Sequence, residues 1–153
     1  MTRPDPRPGI LPFAVSLVLL LVVAGSGTAA AEPVTVDIGV VFASNEGSVV
    51  DPALSALRAK LQSMFTYSSY RMLDRMKRPL EVGETGDFAL PGGRNLRLSP
   101  VSAPAKKVRL AVQLTEGGRN LLTTTLGLSR GGMVVVGGPP YQSGVMILLI
   151  SAE

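Results

Sequence analysis

Apolar residues are distributed along this chain in three ways, and each predicts a different kind of element. Ile10 to Ala24 is an apolar run interrupted only by Pro12 and Ser16. Between Leu54 and Phe65, apolar residues recur at spacings of three and four. The rest of the chain from Val34 onward is built of short alternations separated by glycine, proline and polar turns.

The first alternation places Val34, Val36, Ile38, Val40 and Phe42 on one face of a strand, with Thr35, Asp37, Gly39, Val41 and Ala43 on the other. Successive strand side chains point to opposite sides, so a strand with one strongly apolar face is expected over 34–43. Asn45 to Ser48 ends it. Asp51-Pro52 then supplies a side-chain acceptor at a helix N-cap, followed by a ring pre-set for the first turn. Leu54, Leu57, Leu61, Met64 and Phe65 form an apolar stripe, so residues 52–65 are expected to make one amphipathic helix that needs a sheet to cover.

Strands and turns are expected after that helix. Tyr70 to Lys77 reads as an extended segment, with Met72, Asp74 and Met76 opposite Leu73, Arg75 and Lys77; its good helix formers keep a second helix as a rival. Leu80–Val82 and Phe88–Leu90 flank a turn at 83–87, and Leu96–Leu98 alternates. A loop over 99–105 precedes Val108, Leu110, Val112 and Leu114, a clear half-buried strand. Further strands are expected over 121–128 and 133–136. The unbroken apolar residues Val145 to Ile150 suit a central strand buried on both faces. Connections this short leave no room for repeated crossover helices. The expected class is α+β, mainly β: a small antiparallel sheet or sandwich-like domain with one amphipathic helix near its N-terminal end.

The first apolar run changes the picture of where the protein works. Arg3 and Arg7 precede it, and Ala29-Ala30-Ala31 follows it. A positive start, a short apolar core and a small-residue exit are the parts of a secretory signal peptide, with cleavage expected after Ala31. As a retained anchor, its fifteen residues of helix would rise only about 22 Å, against a hydrocarbon core of roughly 30 Å. The expected exported domain is residues 32–153, with 13 basic and 10 acidic residues. A periplasmic or extracellular location follows, with no transmembrane span once the signal is removed.

Composition narrows the chemistry. The chain has neither histidine nor cysteine, which removes the usual neutral-pH general base, the thiol nucleophile and the ligands of a zinc or copper centre. It also lacks the phosphate-loop pattern, the dinucleotide glycine fingerprint and the Ser-x-x-Lys spacing, so no cofactor is implied. No cysteine also means no disulfide. Glu81, Glu84 and Asp87 could supply an acid and a base for glycoside cleavage only if they converge in a cleft. Around a turn, such residues are ordinarily solvated. They also lack the ladder of a calcium loop.

Two features remain as candidate sites. Phe65 to Tyr70 holds three aromatics, and Arg71, Arg75, Lys77 and Arg78 follow. Tyr67, Tyr70, Arg71, Arg75, Lys77 and Arg78 are therefore a candidate interaction surface, although the same residues can equally seal a helix–sheet junction and solubilise a strand edge. The second feature is Gly-Gly-Arg-Asn-Leu, at 92–96 and again at 117–121. Each copy is expected to be a hairpin turn; the alternative is a paired anion site using Arg94, Asn95, Arg119 and Asn120. Non-enzymatic binding of another envelope or extracellular protein is the leading expectation. Binding of an acidic glycan, lipopolysaccharide or other anionic ligand is the alternative, and a carboxylate hydrolase ranks third. Export argues against nucleic acid as a partner.

Overall fold

The computed structural model describes residues 32–153, so the expected signal over 1–31 lies outside the described residues. Eight strands form two four-stranded antiparallel sheets. In chain order they are β1 Val34–Ser44, β2 Ser69–Leu80, β3 Gly86–Leu90, β4 Arg94–Ser102, β5 Lys107–Glu116, β6 Arg119–Ser129, β7 Met133–Tyr141 and β8 Gly144–Ala152. The first sheet runs β2-β1-β8-β7 and the second β3-β4-β5-β6. Each strand thus follows its sequence neighbour around a ring, and β8 closes on β1. The ring is interrupted between β2 and β3 and between β6 and β7, where no ladder joins the edges. These two seams flatten the ring into a sandwich, confirming the mainly β expectation.

Between the sheets lies the larger apolar core. Val34, Val36, Ile38 and Val40 of β1 meet Leu96, Leu98, Leu110 and Val112 of the facing sheet, all essentially without exposure. Each such side chain contributes about 1.5–3 kcal/mol by leaving water.

A second cluster covers the outer face of the first sheet. Leu54 and Leu61, from the segment between β1 and β2, bury Val41, Ala43, Ile147 and Leu149. This explains why β8 is apolar at six consecutive positions: Met146, Leu148 and Ile150 face the sandwich core, while Ile147 and Leu149 face the helical segment. The segment is not the single helix that its spacing predicts. Pro52–Leu57 is a 3-10 helix, capped by the Asp51 carboxylate accepting from the Ala53 amide at 2.9 Å, and only Arg58–Met64 (α1) is α-helical. Phe65 has already turned extended, at φ −130° and ψ 142°.

β2 departs from simple alternation. Its register against β1 slips between Val40 and Val41, so Val40 faces Asp74 but Val41 faces Met72. An extra residue on one strand reverses the side on which later side chains point. Met72 accordingly packs under the helical segment while Met76 packs between the sheets, although their spacing places them on one face. The expected loop over 99–105 is shorter than its proline and small residues suggest, because β4 continues to Ser102. Likewise the strand expected over 133–136 runs on to Tyr141, so Pro139 and Pro140 lie within β7, an edge position that tolerates a missing amide donor.

Candidate functional site

The segment around β2 does not assemble into one surface. Tyr70 is fully buried, and its hydroxyl donates to the carbonyls of Phe65 at 3.1 Å and Leu61 at 3.3 Å. Burial pushes its phenol pKa up. Tyr67 packs partly buried against the same cluster, so both tyrosines seal the junction of helix and sheet. Arg75 forks onto Asp37 of β1, with Nε–Oδ1 at 3.0 Å and Nη2–Oδ2 at 2.6 Å; the carboxylate raises the arginine's pKa further. Arg78 crosses the β2/β3 seam, its guanidinium 4.8 Å from the Phe88 ring centre and donating to the Asp87 carbonyl at 3.3 Å. Arg71 and Lys77 are exposed. Charges of this kind along an edge are the usual protection against unwanted strand pairing.

The two Gly-Gly-Arg-Asn-Leu copies are hairpin turns flanking the end of β5. Arg94 and Arg119 are both in register with Glu116, and Asn95 and Asn120 with Thr115. The Arg94 side chain is only 10% exposed: Nη2 sits 3.1 Å from Glu116 Oε1 and donates to the Pro140 carbonyl of the other sheet at 2.7 Å. Its guanidinium lies 5.9 Å from the centre of the Tyr141 ring, which in turn meets Phe42 edge-on at 5.6 Å. This arginine closes one end of the sandwich and is committed to the fold. Arg119 is 75% exposed and reaches Glu116 Oε2 at 3.3 Å. Asn95 donates to Asp87 and Asn120 to Thr123. The four residues therefore do not ring a common anion pocket.

Nor do the three candidate carboxylates converge on one cleft. Glu84 accepts from the Glu81 amide within the β2–β3 turn at 2.9 Å, and Asp87 pairs with Arg97 at 3.0 Å. The Arg97 and Asn95 hydrogen bonds hold the Asp87 carboxyl below the usual carboxylate range. All three acids are exposed. No cluster of three or more potential metal ligands occurs among the described residues.

Two surfaces not singled out by the sequence reading have more to offer. One is the β6/β7 seam. β6 carries no charge after Arg119, and β7 none at all. An apolar gap of about 320 Å³ lies between them, lined by Leu114, Leu121, Leu122, Gly137, Gly138 and Pro139. Arg94 reaches from β4 to the Pro140 carbonyl beside its end, but no charged side chain lines the gap itself. The signal was visible in advance as an uncharged stretch from Asn120 to Ser129, but only strand order shows that it forms an edge.

The other surface is the outer face of the second sheet, which no helix covers among the described residues. A groove of about 490 Å³ runs over it, bordered by Thr85, Arg97, Ser99, Gln113, Thr123 and Thr125. A separate hollow of about 350 Å³ lies further along β5 and β6 beside Lys107, Arg109 and Gly127. Among the described residues no helix is long and apolar enough to cross a membrane. Comparison with family models, curated proteins and solved structures finds no match to this chain.

Proposed function

We propose that the protein is an exported, non-enzymatic interaction domain of the cell envelope or extracellular space. In this reading it takes an extended segment of a partner protein onto the edge of β6. The observation that carries it is the contrast between the seams. β2 guards its edge with Arg71, Asp74, Arg75, Lys77 and Arg78, whereas β6, uncharged after Arg119, leaves an edge unpaired among the described residues beside an apolar gap. Main-chain hydrogen bonds supply affinity in strand addition, and pockets for alternate side chains supply selectivity. The gap beside Leu121 and Leu122 offers such a pocket. β7 is less suited to receive a strand, because Pro139 and Pro140 lack the amide donor. Export rests on the charged start, apolar core and Ala-Ala-Ala exit of residues 1–31.

The test is affinity capture from the envelope fraction, followed by hydrogen exchange on the isolated complex. Backbone amides of β6 between Leu121 and Leu128 that point away from β5 are expected to gain protection when the partner binds. Protection confined to β2, or no reproducible protein partner, would overturn this reading.

A further inference from the structure

The outer face of the second sheet, uncovered among the described residues, carries short side chains and more cations than acids. Register places Asp87, Asn95, Arg97, Ser99, Lys107, Arg109, Ala111, Gln113, Thr123, Thr125 and Gly127 on it, opposite the buried positions. Its charged groups are three cations, Arg97, Lys107 and Arg109, and one acid, Asp87, which is already held by Arg97 and Asn95. Between the cations the floor is made mostly of short side chains, Ser99, Ala111, Thr123 and Thr125 among them. Arg97 pairs in register with Gln113, and Arg109 stands four residues further back along β5, a separation of about 14 Å at the strand rise.

We propose that this face, with its two hollows, binds a strand of acidic polysaccharide. Arg97 at one end, and Arg109 with Lys107 at the other, meet carboxylates spaced along the polymer. Ser99, Gln113, Thr123 and Thr125 exchange hydrogen bonds with sugar hydroxyls. Ala111 and Gly127 keep the floor low enough for the chain to lie flat. The face has no aromatic ring, which disfavours nucleic-acid bases and the stacking of neutral sugars. This site uses the face of the sheet, whereas strand addition uses the backbone edge of β6, so either can fail without the other.

Calorimetric titration of the full chain with polygalacturonate oligomers tests it, with uncharged dextran oligomers as the second probe. Binding to the acidic probe is expected, weakening as salt rises, with none to the neutral one. Arg97→Gln and Arg109→Gln should each weaken it roughly three- to tenfold. Thr125→Glu, which places a carboxylate on the exposed floor, should abolish it. Lys60→Gln, the same charge loss on α1 over the other sheet, should leave it within about twofold. Absence of binding by the wild-type chain, equal binding of dextran, or an equal loss with Lys60→Gln would overturn the proposal.

Discussion

Gly92 to Leu96 and Gly117 to Leu121 spell the same five residues and both reverse the chain between antiparallel strands, but they have different roles. In the first copy the arginine turns under the sandwich end, meets Glu116, and reaches across to the Pro140 carbonyl of the other sheet. In the second it stays in solvent and shares the same carboxylate from outside. The glycines differ in the same way. Both Gly92 and Gly117 have positive φ, 79° and 54°, so local turn geometry asks for glycine in each. At Gly92, however, an added Cβ would also lie 2.6 Å from Arg94 Nη1, whereas at Gly117 it would meet nothing within 4 Å. The lesson is that a repeated phrase specifies a turn, while what faces the turn across the core decides whether its polar residue binds inward or outward.

Three paired measurements sharpen or break that comparison. The largest effect is expected from Arg94→Ala, which removes a buried charge-assisted hydrogen bond and leaves Glu116 with only its exposed partner. Urea unfolding should show a loss of about 2–3 kcal/mol, against about 0.5 kcal/mol or less for Arg119→Ala. Equal losses would mean that the two arginines are equivalent after all. Gly92→Ala should come next, at about 2 kcal/mol, because left-handed strain adds to displacement of the guanidinium; Gly117→Ala carries the strain alone, at about 1 kcal/mol. The smallest effect is the coupling within the shared ion pair. Double-mutant cycles with Glu116→Gln should give about 1 kcal/mol for Arg94 and about 0.3 kcal/mol for Arg119. A larger coupling for Arg119 would reverse the assignment of the inner partner.

Much of the fold was legible because burial leaves a periodic trace. The alternation of β1 and β5 and the unbroken apolar run of β8 announced their surroundings, and Asp51-Pro52 announced a helical start. What escaped were features set by partners distant in sequence. The slip that sends Met72 and Met76 to opposite faces depends on the local pairing of β2 with β1. Tyr70 carries the same letter as an exposed interface tyrosine, and only the Leu61 and Phe65 carbonyls around its hydroxyl make it a core residue. The groove was illegible for a related reason. Arg97, Gln113 and Thr123 come from three strands, and register alone brings them side by side.

The ring order has a consequence for the first and last strands. Thr35 and Glu153 exchange backbone hydrogen bonds, amide to carbonyl in both directions at 2.9 Å. The start of β1 and the end of β8 therefore stand side by side. Topologically, residues 32–153 form a loop cut at one point, and the cut is not tied to any unique place in the pattern. Joining Glu153 to Glu32 through a short linker and reopening the chain at Gly117-Gly118 would preserve every ladder pairing in a circular permutant. Such a chain would present new termini beside Arg119, at the exposed turn, while leaving the sealed turn at Arg94 intact.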